Sequence, residues 1–171
     1  NRLIADGVSV RAITTDTPLA EKQRFLVGAQ KVMKLDLVEH VELDSARQDE
    51  LVNLVTETAD QRGPESTFDA AIIADFGLGL FSHALLSRLC AALRPRVGVL
   101  AGDVSGRRSN LRAMRDMDLI CPSESEIRDA FRLFDQGLPM VAWRLLSDTR
   151  SRAAIVTMGA EGLIAFDRLP D

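Results

Sequence analysis

The stretch Phe68-Asp-Ala-Ala-Ile-Ile-Ala-Asp-Phe-Gly-Leu-Gly79 decides the fold. Positions 70–74 are all apolar, with β-branched Ile72 and Ile73 among them, and Asp69 and Asp75 stand on either side. A short continuous apolar run of this kind reads as a strand buried on both faces, the mark of a parallel sheet. The run ends in a carboxylate and two glycines, and Ser82 then opens a helical pattern. Open α/β sheets bind ligands outside the carboxyl ends of their strands, so Asp75 stands at a candidate site. Gly77 and Gly79 permit a sharp turn and a close approach to the backbone. The same residues also serve simply to make a strand-to-helix turn.

Downstream the alternation continues. Strand 68–75 leads to helix 82–93, and strand 97–101 leads to the polar loop Asp103-Val-Ser-Gly-Arg-Arg108 and a short helix over 109–115. Strand 118–121 leads to helix 124–134, a further helix covers 139–147, and strands 153–157 and 163–166 follow. Upstream, residues 1–7 read as the tail of a helix closing on Gly7 and residues 8–14 as a strand. Asp16-Thr-Pro18 is a turn, and 22–29 and 31–41 form a hairpin-like strand pair around Gly28. In the second of these, Val32, Lys34, Asp36 and Val38 alternate with Met33, Leu35, Leu37 and Glu39. A helix over 44–62 is expected to start with a Ser45/Gln48 capping box, to carry Leu51, Leu54 and Val55 on one face, and to end at Gly63-Pro64. Repeated strand–helix alternation predicts an α/β fold: a parallel, doubly wound sheet with helices on both faces, plus the small strand pair near the amino terminus.

With 171 residues, 46% of them hydrophobic, the chain supports one domain with a real core. A net charge of −4 excludes a nucleic-acid or anionic-membrane surface as the expected partner. No apolar run reaches the length of a membrane span, and no signal peptide is visible. Cys90 and Cys121 lie in apolar contexts without metal-type spacing and read as buried free thiols of a cytoplasmic protein. His40 and His83 have no ligand pattern around them and read as surface or helix-end residues.

Four strands end in polar or glycine turns: Asp75-Phe-Gly-Leu-Gly79, Gly102-Asp-Val-Ser-Gly106, Pro122-Ser-Glu-Ser-Glu126 and Thr157-Met-Gly-Ala-Glu-Gly162. A parallel sheet sets all four along one edge, the edge that carries the binding crevice. Ser123 and Glu126 have the spacing of a capping box, and Glu126 is also a candidate to order a metal ion through water. Thr157 with Gly159 makes either a tight turn or a hydroxyl-and-amide surface for a nucleotide.

These turns, in this order, resemble the ribokinase-like (PfkB) carbohydrate kinases, nearest to the kinase domain of the bifunctional heptose-phosphate kinase/nucleotidyltransferases. Asp75-Phe-Gly-Leu-Gly79 is similar to that group's Asp-Tyr-Gly-Lys-Gly, Asp103-Val-Ser-Gly106 to its Asp-Pro-Lys-Gly, and Pro122-Ser-Glu-Ser-Glu126 to its Pro-Asn-x-x-Glu. Val156-Thr-Met-Gly-Ala-Glu-Gly162 resembles the family's Thr-Leu-Gly-x-x-Gly nucleotide strand, and Glu21-Lys-Gln-Arg24 and Lys34-Leu-Asp36 its Lys-x-Arg and Arg-Val-Asp stretches. The resemblance implies transfer of the ATP γ-phosphoryl group to a sugar or sugar-phosphate hydroxyl, with Mg2+ bridging the phosphates. It implies that Ser123, Thr157, Gly159 and Gly162 line the nucleotide and that Glu126 supports the metal. It further places Asp75 and Asp103, with Lys22 and Arg24, on the acceptor and phosphate side.

The departures are specific. Ser123 stands for the family Asn, and Leu78 and Ser105 stand for two family lysines, which weakens any anion site there. The family's Gly-Ala-Gly-Asp motif, which supplies an anion hole and the catalytic base, has no counterpart in this sequence, so the base is expected beyond Asp171. The glycine-rich amino-terminal sugar-binding part has no counterpart either. The chain therefore reads as the central part of one kinase domain, a fragment without its base. Two other readings stand beside it: a degenerate kinase-like domain with a regulatory, scaffold or subunit-pairing role, and a generic nucleotide-binding α/β domain. The strand pair over 22–41 offers an edge for a homodimer.

Overall fold

The computed structural model describes residues 2–18, 21–37, 41–61, 68–105 and 110–168. The expectations that fall on residues 38–40, on the Gly63-Pro64 helix end and on residues 106–109 lie outside them. Asp171, after which the base is expected, also lies outside the described residues.

Five strands make the main sheet: β3 (Phe68–Asp75), β4 (Val97–Val104), β5 (Leu119–Cys121), β6 (Ala153–Thr157) and β7 (Leu163–Asp167), in that spatial order. Neighbours from β3 to β6 pair parallel, and β7 pairs antiparallel with β6 across a tight hairpin. Helix α3 (His83–Leu93) links β3 to β4; a single 3-10 turn, Leu111–Ala113, stands between β4 and β5. Helices α4 (Glu124–Phe131) and α5 (Leu138–Thr149) link β5 to β6. The mixed, predominantly parallel α/β sheet matches the fold expected from the alternation.

Because the strand order runs one way, right-handed crossovers bring every linking helix to the same side of the sheet. The core agrees with that arrangement. Leu85, Leu86 and Leu89 of α3, Ile127 of α4, and Val141 and Leu145 of α5 close over Ile73, Leu100, Val104, Ile120 and Val156 in one buried cluster. Gly102 is part of this fit: a Cβ there would come within 2.5 Å of the Met114 Sδ. Alternate sheet residues face away from the helices, and among them Ile72 is 71% and Leu163 62% exposed. Within the described residues, then, the helical layer lies over one face.

Helix α2 (Ser45–Asp60) flanks α3, tied to it by an Arg88–Asp49 ion pair, with a second pair, Arg96–Asp60, just beyond the end of α3. Its start differs from the expected box. Asp44 is the N-cap and accepts from the Arg47 amide at 2.8 Å, while the Gln48 side chain donates to the Leu43 carbonyl. The Asp44 carboxylate, one residue earlier than Ser45, is a strong acceptor for the orphan amides of the first turn and sets the helix start.

Residues 8–14 form no strand. Arg11 donates to Gln61 and the Arg47 guanidinium to the Thr14 carbonyl, so this segment runs against α2 by side-chain bonds instead of joining a ladder. Upstream, α1 (Arg2–Ala5) closes on Gly7 at φ 80°, with the Val8 amide bonded to the Leu3 carbonyl, as a glycine helix stop requires. Three further boundaries move. Asp103 and Val104 belong to β4 and not to the loop after it, the short helix over 109–115 contracts to the 3-10 turn, and α4 stops at Phe131 because Arg132 turns left-handed at φ 54°.

The strand pair is a hairpin apart from the sheet. β1 (Glu21–Val27) and β2 (Gln30–Leu37) pair antiparallel around Gly28-Ala29, with Gly28 at φ 59°. The substantial contacts of these two strands are with each other.

Candidate functional site

The carboxyl ends of the parallel strands meet along one edge, as expected of Asp75, Asp103, Ser123 and Gly159. Ala74 pairs with Asp103, and Asp103 with Cys121. Past the end of β5, Ser123 bridges Thr157, and the Thr157 amide donates to the Pro122 carbonyl at 3.0 Å. Paired residues share a face, so Asp103, Cys121, Ser123 and Thr157 line the side of the edge that faces away from the helices. At about 4.8 Å per strand, Asp103 and Thr157 stand about 10 Å apart across the edge, a span suited to a polyphosphate chain. Asp103 and Thr157 are both exposed.

Asp75 lies on the opposite, helix-covered side and is 3% exposed. One carboxylate oxygen accepts from the Gly77 amide at 2.9 Å and the other from the Asn110 amide group at 2.8 Å. The same Asn110 nitrogen donates to the Phe81 carbonyl, and the Asp75 carbonyl accepts from the Ser105 amide at 2.7 Å. Asp75 thus clasps the turn after β3 to the segments after β4. Gly77 and Gly79 hold φ of 68° and 94°, values that glycine alone adopts freely. The Leu78 carbonyl between them accepts from the Val41 amide, so the chain arriving from the hairpin is pinned here. A polar cavity of about 380 Å³ opens beside this turn, lined by Glu42, Gln48, Gly77, Ser82 and Asn110 among others. Asn110 is not among the residues that the sequence singles out, since it follows an arginine-rich loop with no motif around it.

Ser123 and Glu126 form the capping box that their spacing predicts. The Ser123 hydroxyl accepts from the Glu126 amide, and a Glu126 carboxylate oxygen accepts from the Ser123 amide at 2.8 Å. After Thr157, the Met158 amide bonds to the Gly162 carbonyl, and a 3-10 turn over Gly159–Glu161 reaches β7. Gly159 and Gly162 have φ of 62° and 96°, and a Cβ built on either meets nothing within 4 Å. Their backbone faces open space. Burial, then the nearby Asp103 carboxylate, pushes the Cys121 thiol up, which keeps it protonated and inert. Lys22 and Arg24 belong to the hairpin, where the register groups positions 22, 24, 34 and 36 on one face.

Among the described residues, no group of three or more His, Cys, Asp or Glu is placed to hold a metal ion. Asp103 and Glu126 are the candidate carboxylates at this edge. One or two carboxylates suit Mg2+ that arrives on nucleotide phosphates with its waters, as opposed to a protein cage. The donor set therefore fits a nucleotide-borne ion, and the open glycine turn fits close approach of the nucleotide.

A sheet of this order with its helix layer and its edge of polar turns is the fold of the ribokinase-like carbohydrate kinases, as the turn motifs suggested. No protein-family model matches the chain. Phosphofructokinase-2 from Escherichia coli, in complex with fructose-6-phosphate, superposes with a TM-score of 0.68 at 17% identity, covering 99% of this chain and 55% of that one. A fructokinase double mutant from Vibrio cholerae O395, bound to fructose, ADP and potassium, gives 0.61 at 12% identity over 97% and 54%. In sequence, the bifunctional protein HldE of a Nitratiruptor species is 20% identical over 164 residues, 94% of this chain and 33% of the relative. The chain thus spans a third of that relative and about half of the two kinases.

Proposed function

We propose that this chain is the nucleotide-facing central part of a carbohydrate kinase that transfers the ATP γ-phosphoryl group to a hydroxyl of a sugar or sugar phosphate. The observation that carries the reading is the placement of Asp103, the Ser123–Thr157 bridge and the open Gly159/Gly162 turn on one side of one sheet edge. In this reading the Thr157 hydroxyl and the Gly159–Gly162 amides meet the nucleotide, and Asp103 faces the transferring phosphate. Glu126, held by its cap, orders Mg2+ through water, and the bound ion supplies charge neutralisation at the phosphates. Asp75 acts one step back, holding the Gly77–Gly79 wall of the acceptor side. Lys22 and Arg24 serve the acceptor from the hairpin. The base that takes the acceptor proton belongs to the family motif this sequence does not carry, and in this reading it follows Asp171.

Two free thiols, one buried and one half-buried, fit a protein of the reducing cytoplasm. No described helix is long and apolar enough to cross a membrane. The apolar side of the hairpin fits a homodimer.

The second reading, a kinase-like domain kept for pairing or regulation, is favoured by Leu78 and Ser105 at two family lysine positions and by the full engagement of Asp75 inside the protein. Nucleotide binding separates the two. With the lysines gone, ATP·Mg2+ is expected to bind the full-length protein at about 0.1–1 mM, or about 4–5.5 kcal/mol. Gly159→Val should weaken it further, since a branched residue resists φ 62°. Glu126→Gln keeps the capping box, because glutamine serves equally at that position, and should weaken binding only when Mg2+ is present. Calorimetric titration of the three proteins is the test; no heat at several millimolar ATP would support the pairing role instead.

A further inference from the structure

We propose that the open face of the main sheet and the outer edge of β3 dock a second layer of the same polypeptide: a strand lying along β3 beneath α2, and two helices crossing the face. The inference rests on the sheet alone and not on the phosphoryl-transfer reading.

The face is built to be buried. Ile72 is 71%, Val99 45% and Leu163 62% exposed, and Ala70, Ala74 and Ala165 lie exposed among them. The acidic residues that share the face, Asp103 and Asp167, stand at the ends of their strands. Parallel strands are covered on both sides, and a contiguous apolar surface this wide marks a contact. The helices of the described chain cannot reach it, because a one-way strand order with right-handed crossovers sends all of them to the other side. Covering the open face requires the strand order to reverse, and reversal requires a strand at a sheet edge.

The β3 edge has room for that strand. Among the described residues β3 pairs only with β4. Helix α2 lies beyond it, and Leu51, Leu54 and Val55 face an apolar groove of about 420 Å³ whose floor is Phe68, Ala70 and Ala71. A helix overhanging an unpaired strand with apolar residues over empty space leaves the place of one more strand.

The occupant of the face is helical. Five strands at about 4.8 Å spacing present about 19 Å, the width of two helices of about 10 Å diameter, and the alanines give such helices a flat floor. A second copy would set two parallel sheets face to face, an arrangement that βαβ architecture does not use. The matched kinases are about twice as long as this chain, which is length enough for the layer.

The test uses the longest polypeptide the gene encodes. Ile72→Cys is conservative, and a small thiol reagent read by peptide mass spectrometry reports its access separately from Cys90 and Cys121. Labelling about 100-fold or more slower than in denaturant is expected, with the protein monomeric or with protection unchanged on dilution. Labelling near the denatured rate would overturn the proposal, and so would protection that fades as a dimer dissociates, since a second copy would then be the cover. Hydrogen exchange on the unsubstituted protein checks the edge: all amides of β3 should be protected. Rapid exchange of alternate β3 amides, those not bonded to β4, would overturn the strand.

Discussion

Both carboxylate oxygens of Asp75 accept hydrogen bonds inside the protein, from the Gly77 amide and from Asn110, so its first task is structural. Asp75→Asn sets a donor against one of those donors at a buried position, and a buried donor without an acceptor costs about 1–3 kcal/mol. In a chain of this length that lowers the thermal midpoint by about 2–4 °C per kcal/mol, which differential scanning calorimetry will read. A residue acting only on substrate would leave the midpoint where it was. The place of Asp75 at the carboxyl end of a buried strand was legible in the sequence, because an apolar run, a carboxylate and two glycines together mean strand end and turn. Its partner was not, since Asn110 is 35 residues away and reaches Asp75 only after β4 is laid beside β3.

At the scale of elements, Asp118 illustrates how two strands are fastened. It accepts from the Leu100 amide at 2.8 Å and from the Arg94 guanidinium. Burial works to raise its pKa, but the Leu100 amide and Arg94 together outweigh burial and hold it below 3.8. A depressed carboxylate contributes stability above its unfolded pKa and loses it as pH falls through the folded value. The stability difference between the native protein and Asp118→Asn should therefore be full at pH 7 and shrink progressively below pH 3.8, measured by urea unfolding across that range. The hairpin makes a second case. Its register pairs Phe25 with Met33, and Gln23 with Leu35, on a face where Phe25, Met33, Leu35 and Leu37 are all exposed. A two-stranded ribbon with an uncovered apolar face is marginal in water, so we expect it to pair with its copy. Leu35→Glu should shift a dimer to monomer in sedimentation without lowering the thermal midpoint of the sheet; a monomeric native protein would end this expectation. The strands and helices from β3 to β7 follow their apolar runs closely. Residues 8–14 mislead because alternation of polar and apolar residues says nothing about whether a neighbouring strand is in reach.

For the whole molecule, the class of fold was legible because strand–helix alternation and right-handed crossovers leave few alternatives, and the turns resembled one family's in order and spacing. Which face the described helices take was not, because it depends on the spatial order of the strands, and pairing between distant segments leaves no local trace. That order has a consequence for activity. Asp103, Ser123 and Thr157 line the uncovered side of the edge, so in the 171-residue chain a bound phosphate would lie open to water. Phosphoryl transfer depends on positioned groups in a site that excludes water, and no group in this sequence matches the family's base-and-anion-hole motif. The 171-residue chain is therefore expected to release no ADP in response to sugars or sugar phosphates, while retaining weak ATP·Mg2+ affinity at the Gly159–Gly162 turn. A coupled ADP-release assay over a panel of acceptors, run beside calorimetry on the same preparation, measures both. Acceptor-dependent turnover by the chain alone would mean that Asp103 or another residue of this edge serves as the base, and the division of labour proposed here would have to be redrawn around it.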